Sequence, residues 1–248
     1  MTLFLTSSHT IGWAGPLNPA NDFAKNLSAS LSEPIRCAMV SSYPDDEEIT
    51  DRMAWEVREC FEDAGLAFDH FEVIDRRTQP QAQRIVAEAN FLILCGGHVP
   101  TENAFFRDIS LRELLQDWQG TVMGISAGSM NSAERVYSPP ELEGEATDPN
   151  YSDHFQGLGL TDINILPHFQ QLRRAKVDGK RLVHGIVAAD SMEHPVYCLP
   201  DGSYFIIRDG ETYLYGEAYR MQRGTLRRVC RNGEHRRLSP SGRLMPLP

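Results

Sequence analysis

The sequence predicts an α/β fold in which a mostly parallel sheet is sandwiched by helices and followed by C-terminal antiparallel β-hairpins. Short apolar runs of strand length alternate with segments of helical length, which is typical of βαβ units. The tail instead carries Asp-Gly and Asn-Gly dipeptides between segments of strand length, which favour hairpins. At 248 residues with 41% hydrophobic content, the chain can bury a sizeable core, so we expect residues 1–248 to form a single domain.

Five apolar runs are predicted to form the parallel sheet: Leu3–Leu5, Ile35–Val40, Phe68–Ile74, Phe91–Leu94 and Thr121–Ile125. Apolar residues at helical spacing predict four helices: Thr50–Ala64, Gln81–Asn90, Ala104–Asp117 and Ala127–Val136. Ligands of an open parallel sheet bind at the carboxyl ends of its strands, so we expect the functional site at that edge.

The composition changes twice after the fifth run. Residues 138–159 are rich in Pro, Glu, Asp, Asn and Gly, which predicts a long irregular acidic loop over the predicted site. Residues 203–240 are predicted to be a β-hairpin region with two hairpins, one turning at Asp209-Gly210 and one at Asn232-Gly233.

Charge and cysteine content narrow the function classes. The formal net charge of -10 argues against nucleic acid as a general partner, because phosphate binding needs an excess of Lys and Arg. The five cysteines have no metal-like spacing and the sequence shows no other metal cluster, so we expect no metal. We expect no other cofactor either. With no apolar stretch long enough to span a bilayer and no export-like N-terminus, we expect a cytoplasmic chain without a membrane partner, either monomer or homodimer.

The segment Gly124-Ile-Ser126-Ala-Gly128 is the clearest candidate for a reactive centre. An apolar strand leads into it and a helix-compatible segment follows, which is the pattern of a nucleophile elbow. Small residues on both sides of Ser126 let the backbone turn sharply and expose the hydroxyl group. Cys95, directly before Gly96-Gly97, is a second candidate nucleophile. It ends an apolar run, however, which is more typical of a small buried core residue than of a nucleophile.

A serine hydroxyl needs a base to take its proton, and eight histidines are available. His168 follows the apolar run of residues 163–166 and a proline, which puts its imidazole at a strand end on the same edge as the elbow. His98, beside the Gly-Gly pair, and His154, in the acidic loop, are the alternatives.

The base in turn needs an acceptor that orients it. Asp201 follows an apolar run and precedes a glycine, so it is the first candidate, although Asp-Gly is also a common turn dipeptide. Glu141, in the acidic loop, is the second candidate.

Together these segments resemble the dipeptidase E and cyanophycinase family of serine peptidases, from about residue 35 to the C-terminus. The resemblance is carried by Gly96-Gly97, Gly124-Ile-Ser126-Ala-Gly128, Leu166-Pro-His168, Leu199-Pro-Asp201-Gly202 and Asp209-Gly210. It implies the class I glutamine amidotransferase-like fold, which is flavodoxin-like and whose elbow usually carries cysteine.

The resemblance also implies roles for these residues. Ser126 is the expected nucleophile, His168 the general base, and Asp201 takes the position of the orienting carboxylate, commonly glutamate in this family. The backbone N–H groups of Gly97 and Ala127 are the expected oxyanion hole. This agrees with the physical interpretation, because a glycine allows close backbone approach and the residue after the nucleophile opens a helix.

The implied substrates are short peptides, typically dipeptides with an N-terminal aspartate, or the aspartyl-arginine polymer cyanophycin. Because a buried carboxylate needs a cation, Arg107, Arg173 and Arg174 are candidates for binding it, and His98 is a further substrate-binding candidate. The sequence departs from its relatives in having His98 directly after the Gly-Gly pair and in the length and acidity of the 138–159 loop.

Two other functions are compatible with the sequence. One is an α/β-hydrolase-type esterase, although that fold places its acid before its histidine, which is the reverse of the order of Asp201 and His168. The other is a binding or sensor protein that kept the fold without its chemistry.

Overall fold

The computed structural model describes residues 1–12, 15–239 and 242–246. These residues form seventeen strands and eight α-helices. The parallel strands of the central sheet are β1 (Thr2–Thr6), β2 (Arg36–Val40), β3 (His70–Ile74), β4 (Phe91–Leu94) and β5 (Thr121–Ile125). The others are β6 (Arg135–Tyr137), β7 (His154–Gln156), β8 (Asn164–Leu166), β9 (Lys176–Val177), β10 (Lys180–Arg181), β11 (Val196–Cys198), β12 (Tyr204–Arg208), β13 (Glu211–Tyr215), β14 (Ala218–Gln222), β15 (Thr225–Cys230), β16 (His235–Leu238) and β17 (Leu244–Pro246).

The helices lie between these strands. They are α1 (Phe23–Ser28), α2 (Glu47–Asp63), α3 (Ala82–Glu88), α4 (Val99–Asp108), α5 (Leu111–Leu114), α6 (Ala127–Asn131), α7 (Phe169–Leu172) and α8 (Ala188–Asp190). A π-helical segment, Leu182–Val187, leads into α8.

A nine-stranded mixed sheet forms the centre of the molecule, in the order β17-β16-β13-β12-β1-β5-β4-β2-β3. Strands β1 to β5 are parallel to their neighbours within this group, and β12 joins the sheet antiparallel to β1. A second sheet of four strands has the order β15-β14-β11-β8. The predicted α/β class, with a parallel sheet and C-terminal antiparallel strands, is confirmed.

Strands β1, β2, β4 and β5 of the central sheet are buried on both faces because they are apolar at nearly every position. On β1, Leu3 and Leu5 pack in one core cluster with residues of α3, α4 and α6, while Phe4 packs in the other with residues of α1 and α2. This alternation is the consequence of the two-residue period of a strand. Helices therefore cover both faces, and the Gly-Gly loop and Ser126 directly follow β4 and β5 at the carboxyl edge of the sheet.

The predicted helices differ from the observed ones at their ends. The predicted helix Ala104–Asp117 is two helices, α4 and α5, because Ser110 has a φ of 53° and interrupts the right-handed backbone. The predicted helix Ala127–Val136 ends at Asn131, and Val136 lies instead in β6, where it pairs with Phe155 of β7. The acidic loop of residues 138–159 is thus less irregular than predicted, since its end forms β7.

The predicted C-terminal hairpins are half correct. Asp209-Gly210 turns β12 into β13 as expected, with φ values of 54° and 74°. The prediction for Asn232-Gly233 is wrong, because β15 pairs with β14 and β16 pairs with β13 in the other sheet. That turn crosses between the sheets, and the Gly233 N–H donates to Oδ1 of Asn21 at 2.9 Å.

Candidate active site

Ser126 lies in the sharp turn between β5 and α6. Its backbone has φ 50° and ψ −109°, a conformation that an L-residue adopts only when its surroundings enforce it. Its N–H donates to the carbonyl oxygen of Thr6 at 3.0 Å, and its own carbonyl accepts the N–H of Met130 at 3.1 Å. The result is a half-buried serine at the carboxyl edge of the sheet, as predicted for a nucleophile elbow.

The flanking glycines allow this turn to pack. A Cβ atom on Gly124 would lie 2.6 Å from the backbone nitrogen of Ser129, and one on Gly128 would lie 2.3 Å from the carbonyl oxygen of Leu94. Neither position tolerates a side chain without movement of the backbone. The glycine spacing that marked this segment in the sequence is therefore a packing requirement.

His168 reaches Ser126 from the end of β8. Its Nε2 atom lies 3.0 Å from the Ser126 hydroxyl oxygen, and its Nδ1 atom lies 2.8 Å from Oδ1 of Asp201. A carboxylate can only accept a hydrogen bond, so Nδ1 carries the proton and Nε2 is left as an acceptor for the serine O–H. The three side chains thus form one hydrogen-bonded line.

Asp201 remains ionised in this arrangement. Burial raises the pKa of its carboxyl, but the hydrogen bonds from His168 and Ser7, the charge of His168 and the hydrogen bond from Gln170 outweigh this and hold the pKa below its usual value. The alternative acid, Glu141, does not take the position beside Nδ1.

Two further side chains hold the His168–Asp201 pair. The Ser7 hydroxyl donates to Oδ1 of Asp201 at 2.7 Å and accepts the backbone N–H of His168 at 2.8 Å. The Gln170 amide donates to Oδ2 of Asp201 at 2.5 Å and accepts its backbone N–H at 3.1 Å. We did not predict either residue, since Ser7 is 161 positions before His168 and no local pattern connects them.

The Gly96-Gly97 loop runs beside Ser126. A Cβ on Gly96 would lie 3.1 Å from the Cβ of Ser126, and one on Gly97 would lie 2.7 Å from the Cβ of Ser42. The Ser42 hydroxyl donates to the Gly96 carbonyl at 2.7 Å. Because the peptide unit is planar and trans, the Gly97 N–H of the same unit points away from Ser42. Within the described residues, no backbone acceptor is found for this N–H.

The acidic loop is fastened to this region through Glu145 and His98. One carboxylate oxygen of Glu145 lies 3.0 Å from Nε2 of His98, and the other accepts the backbone N–H groups of Glu141 and Leu142 at 2.8 and 2.9 Å. The loop is also held from outside, because Asp178, between β9 and β10, accepts the N–H groups of Gly144 and Ala146 at 2.8 and 2.9 Å.

The carboxyl group of Glu141 lies within electrostatic range of His168. Removal from water and the charge of Glu145 raise its pKa to about 7, while the charge of His168 acts in the opposite direction. The residue as a whole is exposed, so water screens part of this effect. The geometry places an acidic, proton-sensitive group beside the site.

The three candidate arginines are placed differently. Arg107 lies in the last turn of α4, at the end opposite the Gly-Gly loop. The Arg173 guanidinium lies 5.9 Å from the ring centroids of both Phe169 and Tyr219. Arg174 is exposed just after α7.

The alternative nucleophile and base lie elsewhere. Cys95 is fully buried, and burial, together with the nearby Glu102, raises the pKa of its thiol, which makes it a poor nucleophile. His154 lies in β7 with Nδ1 3.0 Å from Oδ1 of Asp153 and its ring centroid 5.1 Å from that of Tyr137. Neither contact involves Ser126.

Within the described ranges, no three His, Cys, Asp or Glu side chains group as metal ligands would. In the same residues, every helix is too short or too polar to cross a membrane.

A serine in a strained strand-to-helix turn, in line with a histidine and a carboxylate, is the arrangement typical of serine hydrolases. The sequence matches the model of peptidase family S51 over residues 35–215. The chain therefore belongs to peptidase family S51 and is a serine-type peptidase.

Solved structures share this fold. A peptidase from an acI-B1 Actinobacterium superposes with a TM-score of 0.63 at 17% identity, over 94% of this chain and 95% of the other. A protein from Listeria monocytogenes EGD-e described as a peptidase E superposes with a TM-score of 0.59 at 16% identity, over 92% of this chain and 98% of the other. No curated protein sequence matches the chain.

Proposed function

We propose that this chain hydrolyses short peptides, with N-terminal aspartyl dipeptides as the first candidates, through a Ser126-His168-Asp201 triad and an acyl-enzyme. The observation that supports the proposal is the line of hydrogen bonds, 3.0 Å from the Ser126 oxygen to Nε2 and 2.8 Å from Nδ1 to Asp201. The first distance is that of a general base in reach of its proton, and the second is that of a hydrogen bond that orients the base.

The first half of the reaction forms the acyl-enzyme. The Ser126 oxygen attacks the peptide carbonyl carbon while its proton moves to Nε2 of His168, and the carbonyl oxygen becomes an oxyanion. The N–H groups of Gly97 and Ala127 are proposed to bind that oxyanion. The Nε2 proton then passes to the leaving amine as the C–N bond breaks, which leaves an ester on Ser126.

The second half releases the acid product. His168 takes a proton from water as the water oxygen attacks the ester carbonyl, and it returns that proton to the Ser126 oxygen as the C–O bond breaks. Asp201 stays ionised throughout, and its hydrogen bond with Nδ1 keeps that nitrogen of His168 protonated.

Substrate selection is proposed to involve charged groups around the triad. The ammonium group of a short peptide is attracted by the carboxylate of Glu145, and by that of Glu141 once it is ionised, above a pH of about 7. The carboxylate of an N-terminal aspartate needs a cation, and Arg173 and Arg174, which follow His168 closely in sequence, are the first candidates. Arg107 and His98 remain secondary candidates.

The decisive experiment compares the chain with its Ser126→Ala variant, using a fluorophosphonate probe and a dipeptide library. We expect the probe to label only the unchanged chain, and iodoacetamide to leave its activity intact because Cys95 is buried. Full activity in Ser126→Ala would refute the mechanism. Equal hydrolysis of Asp-Leu, Ala-Leu and Leu-Leu would refute the aspartyl preference while leaving the serine mechanism in place.

A further inference from the structure

Ser7 lies directly behind the pair formed by His168 and Asp201. It is fully buried at the end of β1, and its N–H donates to the carbonyl of Ser203, two residues after Asp201, at 3.4 Å. Its hydroxyl group donates a hydrogen bond to Oδ1 of Asp201 and accepts one from the backbone N–H of His168. A single hydroxyl therefore contacts both members of the pair.

Both contacts restrain groups that would otherwise move. His168 has φ 51° and ψ 34°, a left-handed conformation that costs a non-glycine residue about 1 kcal/mol, so its backbone needs external support. The bond from its N–H to Ser7 supplies part of that support, and the bond from the Phe169 N–H to the Leu199 carbonyl, at 3.1 Å, supplies another part.

The Oδ1 atom of Asp201 is fixed in the same way. It accepts from Ser7 and from Nδ1 of His168, so the serine determines where the carboxylate oxygen meets the imidazole. If the Ser7 hydroxyl were removed, Oδ1 of Asp201 would keep only its hydrogen bond with the His168 ring, which is the group that Asp201 has to orient.

We propose that Ser7 is a positioning residue of the site, which sets the backbone of His168 and the carboxylate of Asp201 so that Nε2 faces Ser126. The inference rests on the proposed function. Ser7 acts through the other two residues, so its loss is expected to slow acylation of Ser126 and to leave substrate binding almost unchanged.

The test compares Ser7→Ala, Ser7→Thr and Ser8→Ala with the unchanged chain. Ser8 is the matched control, since it is the next residue and its hydroxyl donates within its own turn, to the Thr10 carbonyl at 3.1 Å. The readouts are the rate of fluorophosphonate labelling, kcat and KM on the best dipeptide, and thermal melting to confirm folding.

We expect Ser7→Ala to lower the labelling rate and kcat by about 10- to 100-fold with KM nearly constant, the loss that a misplaced catalytic group causes. Ser7→Thr retains the hydroxyl and is expected to recover most of the rate, while Ser8→Ala behaves as the unchanged chain. If Ser7→Ala fails to fold, Ser7→Cys, which is close in size but a weaker hydrogen-bonding group, replaces it with the same expectation.

Two results would overturn the inference. One is unchanged labelling in folded Ser7→Ala or Ser7→Cys. The other is a folded Ser7→Thr that is as slow as Ser7→Ala, since packing and not the hydroxyl would then matter. Labelling of Ser126→Ala at the normal rate would instead refute the proposed function, so the two failures are distinguishable.

Discussion

Gly128 packs directly against the backbone of Leu94, so closely that a Cβ on Gly128 would lie 2.3 Å from the Leu94 carbonyl oxygen. The Gly128 N–H also donates to the carbonyl of Cys95 at 3.0 Å. These contacts press the start of α6 onto the end of β4, next to the Gly-Gly loop. Gly128, two residues after Ser126, therefore couples the position of the serine to the end of β4.

We expect Gly128→Ala to destabilise the fold and displace Ser126. The added methyl group has no space beside backbone atoms, and such overpacking costs about 1 to 3 kcal/mol or more. Urea denaturation gives the free energy of unfolding, and the fluorophosphonate labelling rate reports the serine. Gly185→Ala is the control, because the nearest atom to its new Cβ is the Arg181 Cβ at 3.6 Å. A Gly128→Ala variant as stable and reactive as the Gly185→Ala control would contradict this account.

The elbow could be predicted from the sequence because its determinants are local. Strand, glycine, serine and glycine follow one another within a few residues, and packing alone fixes that order. His168 and Asp201 could be predicted as candidates because each follows a short apolar run. These runs are β8 and β11, which are parallel neighbours, so their ends lie together. The expectation that His168 shares the sheet edge of Ser126 is wrong, because β8 and β11 belong to the second sheet and β5 to the central one.

The sequence did not reveal the site residues whose partners lie far away along the chain. Ser7 and Ser42 are serines at strand ends, a common position, and only the folded chain brings them to His168 and Gly96. The Asn232-Gly233 prediction failed for a related reason. The dipeptide specifies a tight turn, but the partner of each flanking strand depends on the rest of the sheet.

Asp201→Asn is expected to lower kcat by about 10³- to 10⁴-fold, because an amide at this position favours the wrong imidazole tautomer. Glu141→Gln is expected to change the labelling rate far less, because Asp201 and not Glu141 lies 2.8 Å from Nδ1. Labelling rates and kcat of the two variants distinguish the two acids. If Glu141→Gln proved as slow as Asp201→Asn, the orienting role would have to be shared.

The raised pKa of Glu141 predicts a pH dependence of stability. Its carboxyl binds a proton in the folded chain up to a pKa of about 7, whereas its ordinary value is 4.5. The folded state therefore holds more protons than the unfolded state in this window, and stability falls as pH rises from about 4.5 to about 7.

We expect Glu141→Gln to flatten that decline, measured as the urea midpoint between pH 5 and pH 7.5. Glu143→Gln, an exposed neighbour in the same loop, is the control and is expected to keep the slope of the unchanged chain. Identical slopes in both variants would show that the Glu141 carboxyl ionises as it would in water.

Ser42 is expected to support the oxyanion site through the peptide between Gly96 and Gly97. Its hydroxyl holds the Gly96 carbonyl, and the opposite end of that planar unit is the Gly97 N–H proposed to bind the oxyanion. Removing an oxyanion donor outright costs about 10²- to 10³-fold in kcat. Loosening one costs less, so Ser42→Ala should lower kcat by roughly 10-fold with KM unchanged.

Ser41→Ala is the matched control, because Ser41 is also buried but contacts Thr50 at 2.7 Å and the Tyr43 N–H at 3.0 Å instead of the Gly-Gly loop. It should lose stability without losing kcat. If both variants kept full kcat, the Gly97 peptide would hold its orientation without Ser42. If both lost it equally, the effect would come from the stability of this loop and not from the oxyanion site.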